Sequence, residues 1–174
     1  MFADPVKNLR AFNLRDDMIV ADFGAGSGFY TIPLAKIVDR GKIYAIEIQK
    51  DFLITIKNKA AENHLDNVEF IIGDVEKIGG TKLKDSILDA VVASNILFQV
   101  SDRVKFIEEI KRTLKINGKV LLIDWADSGV SLFLRKNMHI SKNKAREIFE
   151  GNGFKWERDI DAGMHSYGMI FMKV

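Results

Sequence analysis

The residues whose types and spacing suit chemistry gather in one run, Val20-Ala21-Asp22-Phe23-Gly24-Ala25-Gly26-Ser27-Gly28-Phe29-Tyr30-Thr31-Ile32. It reads as a buried strand, a glycine turn and the start of a helix. Alternating glycines let a backbone approach a ligand closely, and a helix start presents unpaired N–H groups and a positive dipole end, so an anionic group suits the turn. Asp22 is a charge at the carboxyl end of an apolar strand, which is costly without a partner. A cationic or amine-bearing ligand would justify it. The dinucleotide fingerprint needs its third glycine three positions after the second, where this chain has Phe29, and that lowers the dehydrogenase reading.

Further polar residues close later apolar runs. Glu47 lies roughly 20 residues past the glycine turn, where an acid can accept hydrogen bonds from ribose hydroxyls. Read without a ligand, it is a surface glutamate. Gly73-Asp74-Val75 ends a third run and is by itself a turn signal. Ser94-Asn95 ends a fourth, where Asn95 either touches a ligand or caps a short helix through Phe98. Candidate proton acceptors are Asp124 after the fifth run, His139 and His165. Each also has a bland role: Asp124 as a cap or ion-pair partner, His139 as the approach to a helix, His165 as the start of a strand.

The elements that must position these residues alternate. Strands are expected over 18–23, 42–47, 67–72, 87–93 and 119–123, with helices over 30–38, 51–63 and 103–114 between them. Phe52, Ile56 and Ala60 share one face of the second of these helices. Such alternation specifies an open α/β sheet that binds ligands at the carboxyl ends of its strands. Residues 1–17 form a short lead-in with a helical turn starting at Pro5. Ser141 caps a helix to Glu150, and strands at 155–160 and 166–174 are joined too closely to be anything but antiparallel neighbours. The segment 125–140 has no clean periodicity.

Composition narrows the class. The chain has 174 residues, 47% apolar and 29% charged, with a formal net charge of +2. That fits one globular domain over 1–174 and implies no polyanion partner. The excess of Lys and Arg between 103 and 158 reads either as a basic face or as the solvated side of amphipathic helices. Cysteine is absent, which excludes disulfides and thiolate chemistry, and His64, His139 and His165 have no ligand spacing. No metal is expected. No apolar run reaches the roughly 20 residues of a membrane span, and no signal peptide is evident, so a cytoplasmic protein is expected.

Glycine, small, glycine, small, glycine behind an acid resembles motif I of the class I S-adenosylmethionine-dependent methyltransferases. The runs Asn67 to Asp74 and Glu109 to Gly118 look much like the ubiquinone/menaquinone-type small-molecule branch. The resemblance implies a Rossmann-like seven-stranded, mostly parallel sheet in the order 3-2-1-4-5-7-6, with strand 7 antiparallel and helices on both faces. It implies S-adenosyl-L-methionine as cofactor, held by Asp22, Gly24, Ala25, Gly26, Gly28, Tyr30, Glu47, Ile48, Asp74, Val75, Ser94 and Asn95. Within it, Ile48 lies against the adenine, Asp74 accepts from the adenine amino group, and Val75 offers its N–H to the ring. The reaction implied is in-line displacement of a methyl group onto a small or medium organic acceptor.

The alternatives are an RNA or protein methyltransferase using a basic face, and a non-catalytic relative of the fold. The chain lacks the cysteines of arsenite-type members, the acid expected after strand four of magnesium-dependent catechol-type members, and the paired prolines of base amino-methylating members. Substrate selection is expected in 125–139, where Trp125, Leu132, Phe133, Leu134 and Met138 are apolar and Arg135 and Lys136 cationic. That composition suits a flat apolar acceptor with an anionic group. Phe2 and Asp4 are expected near the cofactor, with the lead-in or a second subunit covering the site. A monomer and a homodimer are both open.

Overall fold

A computed structural model describes residues 4–126 and 140–174. Seven strands form one sheet in the order β3-β2-β1-β4-β5-β7-β6. They are β1 (Ile19–Phe23), β2 (Lys42–Glu47), β3 (Val68–Ile72), β4 (Leu88–Ser94), β5 (Leu114–Trp125), β6 (Phe154–Ile160) and β7 (Ser166–Lys173). The pairs from β3 to β5 are parallel, and β7 runs antiparallel to both β5 and β6. The expected sheet order is therefore the observed one.

Period-two alternation sends successive side chains of the central strands to opposite faces. Ala21, Phe23, Val91, Ala93, Val120 and Leu122 pack on one side with helices α4 (Arg103–Thr113) and α5 (Lys142–Gly151). Val20, Ala90, Val92, Leu121 and Ile123 pack on the other with α1 (Pro5–Phe12) and α2 (Thr31–Ile37). Helix α3 (Lys50–Glu62) packs beside α2, burying Leu53, Ile56 and Ala60. Phe52, expected on that buried face, is instead 38% exposed, because the 3-then-4 spacing of Leu53, Ile56 and Ala60 defines the stripe.

Caps define several ends as their residue types require. Asp4 accepts from the Val6 and Lys7 N–H groups at the start of α1, Asp102 from Lys105 at α4, and Ser141 from Lys144 at α5. The largest departure from expectation is β5, which begins directly after α4 instead of at residue 119. Its pairing with β4 slips between Leu88 and Ala90, and Asn117 sits in the left-handed region, so 115–118 form an irregularity inside an extended run. The expected short helix through Phe98 is a turn.

The loop between β3 and β4 is anchored by a buried carboxylate. Glu109 of α4 is fully buried, accepts from the N–H groups of Gly79 and Thr81 and from the Thr81 hydroxyl, and pairs with Arg112 at 2.7 Å. Arg112 also reaches the Leu83 carbonyl and Asp85. Replacing Glu109 by Ala strips this loop of its acceptors and leaves buried donors unpaired. The expected loss is roughly 3 kcal/mol of stability, read as a lower urea midpoint with unchanged slope.

Candidate functional site

The carboxyl ends of β1 to β4 open into a cleft of about 640 Å³. Of the twelve residues assigned to the cofactor in the sequence, all but Gly28 line it, whereas Asp4, also expected near the cofactor, caps α1 and is not among the lining residues. The backbone of the glycine turn hangs on the end of β2: the N–H groups of Gly24 and Ala25 both donate to the Ile46 carbonyl, at 2.9 and 3.0 Å. Gly26, in the left-handed region at φ +52°, donates its N–H to Glu47 Oε2 at 3.0 Å.

The three glycines serve different ends. A Cβ on Gly24 would lie 2.2 Å from Ile96 Cδ1, and one on Gly28 would lie 3.1 Å from Ile56 Cγ1 of α3. Those two close approaches are to the protein's own side chains. A Cβ on Gly26 meets nothing nearer than 4.0 Å, so Gly26 borders open space on the cleft side while its N–H is held by Glu47.

Glu47 is not a surface residue. It is 7% exposed, its Oε1 accepting from the N–H groups of Ile48 and Gln49 while Oε2 holds Gly26. Asp22 is 2% exposed and accepts a 2.7 Å hydrogen bond from the Thr31 hydroxyl at the start of α2. Burial pushes its carboxyl up to about 6, Thr31 opposing and the nearby Glu47 charge adding to the rise. Asp74 is held the other way: Lys77 beside it and the Glu76 N–H keep its carboxyl below the usual range. Four carboxylates, Asp22, Glu47, Asp74 and Glu76, thus border one cleft; no lysine, arginine or histidine is among its described lining residues, and Lys77 reaches the edge through its 3.0 Å pair with Asp74. A cradle with an open glycine, and a desolvated carboxylate lacking a cation, fit a ligand that carries a positive charge.

At the β4 end, Tyr30 is buried and accepts from Asn8 Nδ2 of α1 at 2.8 Å. Burial raises its phenol, hydrogen bonds with Asn8 and Ser94 pull against that, and the Asp22 and Asp4 charges reinforce it. Helix α1 therefore buttresses the wall through Tyr30, and none of the described lead-in residues lines the cleft. Phe2 lies outside the described residues. Asn95 caps nothing. Its backbone is left-handed at φ +53°, and its buried Oδ1 has no hydrogen-bond partner, an arrangement that costs about 1–3 kcal/mol and concentrates at functional sites.

Of the candidate bases, Asp124 and His165 are not among the residues that line the cleft. Asp124 is buried, accepting from the N–H groups of Phe98 and Trp125, and so fastens the turn after β4 to the end of β5. His165 is exposed between β6 and β7, where its carbonyl accepts from Ala126. His139, and the 127–139 part of the expected substrate-selecting segment, lie outside the described residues. Among the described residues no group of three or more His, Asp or Glu is placed to hold a metal ion. None of the described helices is long and apolar enough to cross a membrane.

Several lining residues had weak sequence signals. Phe29 and Phe52 stand at the mouth with Ile48, which is 60% exposed. Glu76 caps the approach to α4 by accepting from the N–H groups of Ser101 and Asp102.

This sheet order, with a glycine turn and acids at the first three strand ends, is the architecture of class I methyltransferases. The chain matches the methyltransferase-domain family over residues 14–159 and belongs to it. A solved S-adenosylmethionine-dependent methyltransferase from Aquifex aeolicus is 30% identical, with a TM-score of 0.89 over 99% of this chain and 91% of that one. The malonyl-[acyl-carrier protein] O-methyltransferase of Halalkalibacterium halodurans is 32% identical over 151 residues, covering 82% of this chain and 54% of the relative. The demethylmenaquinone methyltransferase of a Geobacillus species is 27% identical over 117 residues, covering 67% of this chain and 49% of the relative. The chain thus spans about half the length of these two curated relatives. Ribosomal RNA methyltransferases match over shorter stretches.

The raised Asp22 pKa has a definite sign in stability. Between about pH 4 and 6 the folded state holds this proton more tightly than the unfolded chain does, so stability attributable to Asp22 falls as pH rises through that window. Asp22→Asn removes the penalty and keeps an acceptor for Thr31. At pH 7.5 the variant should be more stable by roughly 1–3 kcal/mol in urea unfolding. The advantage should disappear at pH 4.

Proposed function

We propose that the chain binds S-adenosylmethionine in this cleft and transfers its methyl group to a small or medium organic acceptor. The observation that carries the reading is the convergence of Asp22, Glu47 and Asp74 on one cleft around an open glycine turn. When bound, the cofactor supplies an activated sulfonium methyl open to in-line attack. The protein's share is binding, orientation and exclusion of water.

Each acid has a distinct task. Asp22 offers a desolvated carboxylate to the amino group of the methionine portion. Asp74, kept ionised by Lys77, accepts from the adenine amino group, with the Val75 N–H nearby and Ile48 against the ring. Glu47 faces the ribose. A carboxylate has about four acceptor sites, and Gly26, Ile48 and Gln49 occupy three. One hydroxyl is received directly; a second requires Glu47 to release a backbone N–H. No lining residue is assigned as a base, and the reading needs none where the acceptor arrives deprotonated or loses its proton to water.

Isothermal titration with S-adenosylmethionine and its demethylated product tests the reading. Both should bind, and Glu47→Gln should weaken each by roughly 1–3 kcal/mol through loss of charge-assisted hydrogen bonds. An affinity unchanged by Glu47→Gln removes the ribose role, and no binding by the wild-type chain removes the proposal.

A further inference from the structure

The two edges of the sheet are built differently. At the β6 edge the chain carries Lys155, Glu157, Arg158 and Asp159, and the pairing with β7 slips between Trp156 and Arg158. Arg158 also donates to the Ala11 carbonyl of α1, and Asp159 takes Lys142 of α5. Charges, a bulge and ties to neighbouring elements keep a strand edge from pairing with another chain. The β3 edge is built the other way: Val68-Glu69-Phe70-Ile71-Ile72 pairs with β2 in unbroken register, and its one charge, Glu69, is held by Lys42 of β2.

The main chain of β3 is half used. The Asn67 carbonyl accepts from the Ile43 N–H and the Gly73 N–H donates to the Glu47 carbonyl, so the odd-numbered positions from 67 to 73 face β2. Val68, Phe70 and Ile72 therefore turn both of their main-chain groups outward, and no described strand lies beyond them. Their side chains lie on the α3 face, where Val68 and Phe70 pack on the Ala45, Leu53 and Ile56 cluster while Ile72 is 47% exposed. Ile54 of α3 is 48% exposed and lies half a helical turn from Asn63, which receives Lys36 of α2. It looks away from α2, over the same edge.

We propose that the chain forms a two-fold dimer in which β3 pairs antiparallel with β3 of a second copy, joining the two sheets into one. An antiparallel copy centred on Phe70 pairs all three outward positions at once: Phe70 with the partner's Phe70, and Val68 with the partner's Ile72 at either end. Glu69 then lies opposite the partner's Ile71, so no like charges meet along the strand pair. The exposed Ile72 of one copy arrives beside a depression of about 460 Å³ in the other, bordered by Asn67, Val68, Glu69 and Phe70. The two-fold axis stands across the sheet, which brings both α3 helices to one face with Ile54 toward the seam. An unrelated strand matches the hydrogen bonds alone; the match at both ends belongs to this sequence. The dimer is independent of what the cleft binds.

The test measures the mass of the full chain by light scattering across a dilution series. Wild type is expected at twice the protomer mass when concentrated and to dissociate on dilution, with amide exchange over 67–73 quickening as it does. Ile72→Lys should raise the dissociation constant at least tenfold while the diluted protein melts at the wild-type temperature. Ile116→Lys, at a site that is 67% exposed and outside β3, should leave the constant unchanged. The chain has no cysteine, so Phe70→Cys adds a single thiol. With an added disulfide oxidant it should join two chains, whereas Lys155→Cys on the opposite edge should not. A wild-type monomer at every concentration overturns the proposal and leaves the edge to a strand of another protein. A dimer that survives Ile72→Lys, or is lost equally in Ile116→Lys, overturns it by moving the interface elsewhere.

Discussion

The site depends on how the Glu47 carboxylate and the Ile46 carbonyl hold the glycine turn. Five backbone N–H groups from two loops converge on these two acceptors: Gly24 and Ala25 on Ile46, and Gly26, Ile48 and Gln49 on Glu47. The turn leaves β1 through left-handed Gly24 and Gly26, and within itself it makes one backbone hydrogen bond among those found, Gly28 N–H to the Ala25 carbonyl at 2.9 Å. Without those acceptors its amides would be exposed in an otherwise packed wall, and the cleft would lose its floor. The parallel pairing of β1 with β2 places Phe23 beside Ile46 and so delivers the turn to its anchor. Sheet register and ligand cradle are one construction.

Asp22 shows the opposite economy. The same β1 strand that buries Val20 and Phe23 carries a carboxylate into the cleft floor with a hydroxyl as its hydrogen-bond partner. Stability is given up there at neutral pH. Glu109 is buried as deeply but held by Arg112 and three donors on the β3–β4 loop, and its carboxyl stays below the usual range because those donors and the Arg112 charge outweigh burial. One buried acid is structural because its partners belong to the protein. The other is left with room for a partner from outside.

Much of the sheet was legible because its signals are local and repeated. Apolar runs closed by polar residues gave the strand positions, and the short 161–165 connection gave the antiparallel hairpin. Signals dependent on tertiary contact were not legible. Nothing in Lys115-Ile116-Asn117-Gly118 says that the chain remains extended through it; the pairing of Leu114 with Leu88 decides that. The alternation of three glycines suggested a shared purpose, yet Gly28 turns toward Ile56 and Gly24 toward Ile96. Asp124 was read as a possible proton acceptor from its place after a strand, and only the fold shows the Phe98 and Trp125 amides claiming it.

Ile96 rests where a side chain at position 24 would have to go. The loop after β4 and the turn after β1 are therefore interlocked by shape, and neither can be remodelled alone. Enlarging position 24 would demand a smaller residue at 96, and shrinking 96 would open a hollow directly above the turn. Any natural or engineered change in what this protein accepts that passes through the β4 loop must negotiate with the turn across from it, so tolerance at one position is set by the occupant of the other.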